Sequence, residues 1–289
     1  MTQARVGVIG GSGFYQMEGL TDVEEVHIAT PYGDPSDAFV VGTLEGERVA
    51  FLPRHGVGHR FSPAELPVRA NIWAMKQMGV ESIISITAVG SLRRKLKPLH
   101  LVIPDQIIDR TRGRPSTFFG KGIVAHVGMA DPFCPALSKA LFQAAQGTDA
   151  TVHRGGTLVV IEGPAFSTRA ESELYRQWKA DIIGMTALPE AKLAREAEIC
   201  YAAVACVTDY DVWHESEEDV TVDLVLANLM KNVETSKQVV RGTIASLPDA
   251  GGCHCRDALQ AALITGLDLV PEYRKRELAP IIGRYISEG

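Results

Sequence analysis

The sequence has 289 residues, of which 46% are hydrophobic and 22% charged, so it contains ample material for a buried core. This composition excludes a disordered chain, a collagen-like repeat and a coiled coil. The 29 Lys and Arg residues against 35 Asp and Glu residues give a formal charge of −6, which disfavours nucleic acid as the main partner but still allows a small local anion site.

Three features of the sequence indicate the cellular compartment in which the protein acts. No apolar run is long enough to cross a bilayer, so we expect no membrane partner. The apolar stretch near the N-terminus is too short for the core of a signal peptide. The odd number of cysteines, five, favours unpaired thiols in a reducing compartment. We therefore expect a cytoplasmic protein.

Apolar periodicity and turn residues predict strands that alternate with helices along the whole chain. The predicted strands cover residues 5–9, 38–44, 48–53, 82–87, 99–108, 157–162, 181–185 and 201–207. The predicted helices cover residues 62–79, 135–147, 168–179, 189–198 and 221–246, with one or two more near the C-terminus. This order predicts an α/β fold, with a mixed sheet and helices on both faces. No break in composition divides the chain, so we expect one domain over residues 1–289.

A glycine-rich turn, Gly10-Gly11-Ser12-Gly13, follows the first predicted strand. Backbone N–H groups in such a turn can approach an anion, and Ser12 adds a hydroxyl donor. The turn lacks the glycine spacing of a dinucleotide-binding motif and the Gly-Lys-Ser/Thr of a P-loop. It is therefore either part of an anion site or only a tight turn.

A basic loop, PRHGVGHR over residues 53–60, follows the third predicted strand. Its arginines offer planar forks that suit phosphate oxygens, and its two glycines allow a close approach to a small ligand. Solvated loop charges are the alternative interpretation.

Three further motifs carry polar or aromatic groups near predicted strands. Thr87 ends an apolar strand and offers a hydroxyl, or else caps a turn. Phe166 lies in a glycine-proline loop, where it is either a stacking platform for a flat ring or a core anchor. Asp209 and Asp211 follow a buried strand, and packing them together would raise the pKa of one of them. Ligands of open α/β sheets bind beyond the carboxyl ends of strands, so we expect one shared pocket.

These motifs together resemble a known family. The segments that carry the resemblance are GGSGFY, PRHGVGHR, ANIWAMKQMGV, TAVGSL, PDQIIDRT, GMADPFCP, IEGPAFSTRAE, GMTALPEAKLAREAEICYA and TDYDVW. They are similar to the 5′-methylthioadenosine phosphorylases, which belong to the trimeric-type purine nucleoside phosphorylases, and they extend from about residue 5 to about residue 245. The C-terminal segment, about residues 250–289, carries none of them.

The resemblance implies a phosphorylase/hydrolase-like α/β sandwich around a distorted mixed sheet, assembled as a homotrimer or as a dimer of trimers. It implies a pentosyltransferase for purine and methionine salvage: methylthioadenosine and phosphate give adenine and 5-methylthioribose 1-phosphate, reversibly. Inorganic phosphate is then a co-substrate, and no metal or organic cofactor takes part.

The resemblance also implies roles for individual residues. The phosphate-binding residues would be Ser12, Arg54, His55, Thr87, Ala88 through its backbone, and Thr186. The nucleoside-binding residues would be Phe166, Ser167, Met185, Val222, Val225 and, from a neighbouring subunit, His126. Asp209 and Asp211 would face the polar edge of the purine.

The chemistry of the reaction agrees with these roles. Glycosidic cleavage builds positive charge on the ribose, which a bound phosphate dianion can stabilise and then attack. It also builds negative charge on the departing purine, which needs a proton at N7. We assign Asp209 as the acid and Asp211 as its partner, since two coupled carboxyl groups share protons. A carboxylate at this place also favours a 6-amino group over a 6-oxo group.

Other functions remain open at this stage. A nucleosidase would use water instead of phosphate, and a methylthioinosine or general purine nucleoside phosphorylase would differ only in substrate. Gly184 stands where many relatives have Asn, which leaves the order of substrates open. A non-catalytic nucleoside-binding module would retain the fold without turnover. A nicotinamide-dependent dehydrogenase is suggested only by the glycine-rich turn, which lacks the third glycine that it requires.

Cys253-His254-Cys255 is similar to the CxC pairs of some microbial members of the family, where the two thiols can be oxidised. A disulfide that closes so small a ring is strained and easily reduced. Two free thiols are the alternative. Two cysteines and one histidine in three residues do not make a tetrahedral ligand set, so this motif alone does not predict a metal site.

Overall fold

The structure is a computed structural model that describes residues 2–11, 17–214, 222–248 and 252–286, with only the backbone over 222–227 and at 229. Its strands are β1 (Val6–Gly10), β2 (Thr21–Val26), β3 (Phe39–Leu44), β4 (Glu47–Pro53), β5 (Ser82–Ser91), β6 (Leu101–Ile103), β7 (Gln106–Arg110), β8 (Val152–Arg154), β9 (Thr157–Ile161), β10 (Ile182–Gly184) and β11 (Cys200–Asp209). Its helices are α1 (Val68–Gln77), α2 (Pro135–Gln146), α3 (Arg169–Gln177), α4 (Ala187–Glu196), α5 (Val222–Ala245), α6 (Glu272–Glu277) and α7 (Ala279–Ile286).

The alternation of strands and helices confirms the predicted α/β class. Two predicted elements are wrong because a proline interrupts each of them. The Glu65 carboxylate accepts from the N–H and the hydroxyl of Ser62, which is one half of the expected capping box. α1 nevertheless begins only at Val68, because Pro67 has no N–H and disfavours helical geometry before it. The strand predicted over 99–108 is divided into β6 and β7 by Pro104. The sequence analysis also missed β2, which is exposed along its length, and the three-residue β8.

The strands form one mixed sheet with β5 at its centre. On one side β5 runs parallel to β11 along almost its whole length. On the other side its first part pairs in parallel with β1 and its last part pairs antiparallel with β10. The sheet continues beyond β1 through β4, β3 and β2, and beyond β10 through β9 and β7. β5 therefore changes partner within a single strand, and this change positions the site described below.

Helices cover both faces of the sheet. Ile83 of β5 lies in one apolar cluster with α1, α4 and α7, whereas the next residue, Ile84, lies in another with α2 and α5. The same alternation separates Tyr201 from Ala202 in β11. Each fully buried side chain of this kind contributes about 1.5–3 kcal/mol, so the two clusters hold the sheet rigidly between layers.

The C-terminal segment, residues 252–286, packs on the α1 and α4 side of the sheet. Its apolar side chains Leu259, Leu278 and Ile282 are buried in the same cluster as α1. The indole N–H of Trp73 in α1 donates to the carbonyl of Glu277 at 2.8 Å. This part of the chain therefore completes the core. Within the described ranges, no helix combines the length and the apolar character needed to cross a membrane.

Candidate active site

A cavity opens where β5 changes partner. Ser85 is the last residue of β5 that pairs with β1, and Gly90 is the first that pairs with β10. In the described residues, positions 86–89 therefore have no strand partner on this edge. The space beside them has a volume of about 560 Å³, and residues 86–90 all line it. The change of partner creates the crevice in which ligands of α/β sheets bind.

The cavity brings together residues from seven separate segments of the chain. Ten of the residues singled out by the sequence analysis line it: Arg54, His55, Thr87, Ala88, Phe166, Ser167, Met185, Thr186, Asp209 and Asp211. His126 does not line it; it is exposed on a segment whose backbone bonds to Ala262. Ser12 and the side chains of Val222 and Val225 lie outside the described residues, while the neighbouring Gly11 lines the cavity.

The guanidinium of Arg54 is buried beneath the cavity and paired with Glu190. Its Nε donates to Glu190 Oε1 at 2.6 Å and its Nη2 donates to Glu190 Oε2 at 3.2 Å. Burial alone would lower the pKa of Arg54, but the Glu190 carboxylate outweighs it and the pKa of Arg54 is raised. The charge of Arg54 is therefore permanent and already balanced within the protein.

A polar network continues from this ion pair. Nη1 of Arg54 donates to the carbonyl of Ile86 at 2.7 Å, and Nη2 donates to Ser85 Oγ at 2.7 Å. The hydroxyl of Tyr201 donates to Glu190 Oε2 at 2.9 Å. These contacts lock the guanidinium against β5, which leaves it little freedom to reorient toward a ligand.

His55 follows Arg54 and is half-buried. Its Nδ1 lies 2.8 Å from the carbonyl of Phe61, and its ring stacks on that of His59 with 4.1 Å between centroids. Burial lowers the pKa of His55 to about 4, and the nearby charge of Arg54 acts in the same direction. Gly56, with φ at +71°, allows the loop to turn back so closely that a Cβ would lie 2.9 Å from the carbonyl of Ser36.

Two hydroxyl groups meet on the wall beside β5. Thr87 Oγ1 and Thr186 Oγ1 lie 3.1 Å apart, and both side chains are buried. Thr186 is the residue before α4, and its side chain does not cap the helix. Both hydroxyls therefore keep hydrogen-bonding capacity toward the cavity.

The two acidic residues lie at the end of β11. Asp209 is buried; its Oδ2 accepts from Thr208 Oγ1 at 2.7 Å and its Oδ1 accepts from the backbone N–H of Asp211 at 2.8 Å. Gly90 makes room for this carboxylate, because a Cβ there would lie 2.9 Å from Asp209 Oδ1. The position of the Asp209 carboxylate is thus fixed from three sides.

Asp211 differs from Asp209 in its contacts. Its Oδ2 is buried and has no hydrogen-bond partner among the described residues. Burial raises the pKa of Asp211 to about 6, with a smaller contribution from the charge of Asp209 and opposition from Ser172. Asp211 therefore retains its proton to a higher pH than an ordinary aspartate does.

Aromatic and apolar groups line the opposite part of the cavity. Phe166 is 44% exposed, which is unusual for a large aromatic side chain and leaves its ring open to the cavity. The adjacent Ser167 has a buried Oγ for which the described structure contains no partner. Met185 contributes a thioether close to Gly163. An aromatic surface beside an unpartnered hydroxyl suits a flat heterocycle with polar edges.

Two residues of this region were missed by the sequence analysis. Glu190, which holds Arg54, lies within α4; it falls inside the segment GMTALPEAKLAREAEICYA, but the sequence analysis gave it no role. Arg114 donates to the carbonyls of Met185 and Leu188 at 2.7 and 2.9 Å and to Glu162 Oε2 at 3.1 Å. Arg114 thereby fixes the loops that carry Met185 and Phe166. Its signal in the sequence is only an arginine in a glycine-proline stretch, which is not specific.

One group of possible metal ligands lies away from the cavity. It is formed by Cys134, Cys200, Cys253 and Cys255, and it is the one such group in the part of the chain that the structure describes. Cys200 begins β11 and Asp209 ends it, so these two residues are about 30 Å apart along the strand.

Comparisons with known proteins agree with this geometry. The family model described as the phosphorylase superfamily matches residues 5–245. The S-methyl-5′-thioadenosine phosphorylase of Chloroflexus aurantiacus is 58% identical over 288 residues, covering 99% of this chain and 100% of that protein. The similarity therefore includes the C-terminal segment, where the motifs carried no resemblance.

Solved structures have the same fold. A methylthioadenosine phosphorylase from an Antarctic soil metagenomic library has a TM-score of 0.93 at 51% identity, covering 97% of this chain and 99% of that one. A mutant adenosine/methylthioadenosine phosphorylase of Schistosoma mansoni, solved in complex with methylthioadenosine, has a TM-score of 0.78 at 38% identity, with coverages of 85% and 92%. This chain therefore belongs to the phosphorylase superfamily, and its resemblance to the methylthioadenosine phosphorylases within that superfamily is confirmed.

Proposed function

We propose that this chain is a pentosyltransferase that catalyses the reversible phosphorolysis of S-methyl-5′-thioadenosine to adenine and 5-methylthioribose 1-phosphate. One observation carries the proposal: Arg54, His55 and the Thr87–Thr186 pair line the same cavity as Asp209 and Asp211. The reaction needs an oxyanion site and an acid within reach of one nucleoside. The names of relatives at 51–58% identity support the same substrate.

Phosphate is held by a set of donors, most of them neutral. Thr87 and Thr186 contribute hydroxyls 3.1 Å apart, Ala88 contributes its backbone, and the Gly10–Gly13 turn with Ser12 contributes further donors. Arg54 contributes a permanent charge whose field Glu190 partly cancels. This arrangement binds the dianion firmly enough to orient it, yet leaves an oxygen available to attack the sugar.

His55 recognises the protonation state of phosphate. A carbonyl oxygen only accepts, so Nδ1 of His55 donates to Phe61 and Nε2 of the neutral ring is an acceptor. With its pKa near 4, the ring stays neutral at physiological pH. Nε2 then accepts a hydrogen bond from the hydroxyl of monohydrogen phosphate.

Cleavage breaks the bond between C1′ of the ribose and N9 of the purine. The electron pair of that bond moves to the purine, while a phosphate oxygen forms the new bond to C1′ from the other side. The Asp209 and Asp211 pair supplies a proton to N7, and Asp209 is the carboxyl group hydrogen-bonded to the base. A positioned acid contributes about 10²–10⁴ to such a rate. The raised pKa of Asp211, about 6, keeps a proton available at this end.

The same pair selects the base. One carboxylate oxygen accepts a hydrogen from a 6-amino group, whereas it repels a 6-oxo group. Phe166 stacks on the purine and Ser167 Oγ binds one of its polar edges, which gives a partner to an otherwise unpaired buried atom. Adenine nucleosides are therefore preferred over the methylthioinosine and general purine alternatives.

Met185 contacts the ribose, and the methylthio group occupies an apolar subsite that includes Val222 and Val225 and lies near His126 of a neighbouring subunit. The exposure of His126 outside the cavity of its own chain supports a role in a second copy. The protein therefore assembles as a homotrimer or as a dimer of trimers. It acts in the cytoplasm, and neither a metal nor an organic cofactor takes part in the reaction.

The decisive experiment measures adenine release from methylthioadenosine with and without inorganic phosphate. We expect release to require phosphate and to yield a sugar phosphate in equal amount. Full-rate release in phosphate-free buffer, with free methylthioribose as product, would identify a nucleosidase and overturn the proposal. Methylthioinosine and adenosine, assayed at saturating phosphate, test the predicted order of substrates.

A further inference from the structure

Four of the five cysteines meet at one point, although they are far apart in the sequence. The Sγ atoms of Cys134, Cys200, Cys253 and Cys255 all lie within 4.8 Å of one another. Cys134 precedes α2, Cys200 begins β11, and Cys253 and Cys255 open the C-terminal segment. We call these four side chains the cysteine cluster.

The geometry of the cysteine cluster fits a tetrahedral ligand set. Zinc–sulfur bonds of about 2.3 Å place the four sulfurs of a tetrahedral site about 3.8 Å apart. The observed distances match this range: all are at most 4.8 Å, and Cys134 Sγ and Cys253 Sγ are 3.4 Å apart. A disulfide requires about 2.05 Å, and all five thiols of the chain are free in the structure.

The surroundings of the cysteine cluster suit a negatively charged centre. Three of its members are buried and Cys253 is half-buried, so little water is available to solvate charge. Cys134 is the N-cap residue of α2, so its side chain lies at the positive end of the helix dipole. Arg195 interacts electrostatically with Cys255. A helix N-terminus and a guanidinium stabilise thiolates more than thiols.

We propose that Cys134, Cys200, Cys253 and Cys255 bind one Zn²⁺ ion as a structural site. Four thiolates with no open coordination position are the ligand set of structural zinc, and soft sulfur ligands exclude Mg²⁺ and Ca²⁺. Binding forms four sulfur–zinc bonds and releases the protons of the thiols that were not already ionised. The CxC motif alone could not supply this set, and the fold adds the two missing ligands.

The zinc ion ties the beginning of the C-terminal segment to the sheet. Beyond the CxC motif, this segment contains only two short helices, so its order depends on attachment. It also supports the loop that carries His126: Ala125 and Leu263 form a bridge, and the N–H of His126 donates to Ala262 O at 2.9 Å. The zinc ion therefore stabilises the segment that backs His126, while Asp209 lies about 30 Å away at the other end of β11.

The test begins with the metal content of the full-length protein, purified in reductant without chelator and assayed by plasma mass spectrometry. We expect about one zinc ion per chain. Cobalt exchanged into the site should give the sulfur-to-cobalt charge-transfer band and the strong visible bands of a tetrahedral tetrathiolate. Less than a tenth of a zinc ion per chain after incubation with zinc in reductant would overturn the proposal, whether the thiols are then free or joined in disulfides.

The variant Cys255→Ser, with Cys206→Ser as its matched control, assigns the ligands. Cys206 is a buried thiol of the same strand β11, but it lies beside Ser236 and outside the cysteine cluster. We expect Cys255→Ser to lose the zinc and to lower Tm by at least about 5 °C. Cys206→Ser should retain the zinc. Zinc retained in Cys255→Ser, or lost equally from both variants, would overturn the assignment.

Discussion

The two ends of strand β11 carry opposite kinds of chemistry. At its end, Asp209 and the nearby Asp211 meet an open cavity and include a buried oxygen for which the described residues provide no partner. At its beginning, Cys200 meets three other thiols in an almost closed space. Between them, residues 201–207 are fully buried and mostly apolar. The difference shows how one rigid strand can serve an exchangeable ligand at one end and a permanent one at the other.

A network near the ion pair of Arg54 connects the two ends. Tyr201, the second residue of β11, donates through its hydroxyl to Glu190 and accepts through its carbonyl from the N–H of Cys134. Glu190 in turn holds Arg54 beneath the cavity. Substitutions can therefore alter one end of β11 alone, or the connection between its two ends.

The largest effect is expected from Asp209→Asn, which alters only the cavity end. Asn cannot supply a proton to N7, so we expect kcat/KM for methylthioadenosine to fall about 10²–10⁴-fold. The KM for phosphate should change little, because the donors for phosphate lie just after β4, on β5 and just before α4. Initial rates of adenine release over a range of both substrates measure these effects, and thermal unfolding serves as the control for folding. Unchanged turnover would indicate that Asp209 is not the group facing the base.

A smaller effect, which reaches both ends of β11, is expected from Glu190→Gln. Removing one member of a buried ion pair leaves the charge of Arg54 unbalanced, which costs about 3–5 kcal/mol in the free energy of unfolding. Phosphate should then stabilise the variant more than it stabilises the wild type, since the anion replaces the lost carboxylate. Urea unfolding with and without phosphate measures both quantities. An equal phosphate effect in the two proteins would contradict the proposed proximity of Arg54 to the anion.

The smallest effect is a pH-dependent gain in stability from Asp211→Asn. The pKa of Asp211 is raised from 3.8 to about 6 in the folded protein, so its contribution to stability is greatest below the unfolded value and falls as pH rises toward 6. Above pH 7 the ionised group costs up to about 3 kcal/mol, which a neutral amide avoids. We expect the variant to exceed the wild type in free energy of unfolding by about this amount at pH 8 and by about half of it at pH 5. A difference that does not vary with pH would contradict the buried, raised-pKa environment of Asp211.

Much of the cavity could be predicted because its residues follow strands. The polar motifs near residues 54, 87 and 209 are each local in sequence, and the rule that strand ends meet at one edge of a sheet brings them together. The capping box at Thr168 could also be predicted from the sequence, since both of its hydrogen bonds join residues three positions apart. Local patterns of this kind are independent of the rest of the fold.

The parts that could not be predicted depend on contacts distant in sequence. Glu190 is 136 residues from Arg54, and a glutamate inside a helix is ordinarily a solvated residue. Cys134 and Cys253 are 119 residues apart, and only the folded chain brings them to 3.4 Å. The error at the start of α1 has another cause. The Glu65 carboxylate accepts from the N–H and the hydroxyl of Ser62, which is half of a capping box, but Pro67 prevents a helix from continuing there.

The ion pair between Arg54 and Glu190 affects how phosphate enters the cavity. Because this cation is neutralised before any anion arrives, phosphate brings uncompensated negative charge into a space that already holds two carboxyl groups. Accumulated negative charge increases the proton affinity of every titrating neighbour, including His55 and Asp211. Filling the oxyanion site therefore draws hydrogen ions from solvent, so that the acid needed for the departing base is loaded by the nucleophile itself.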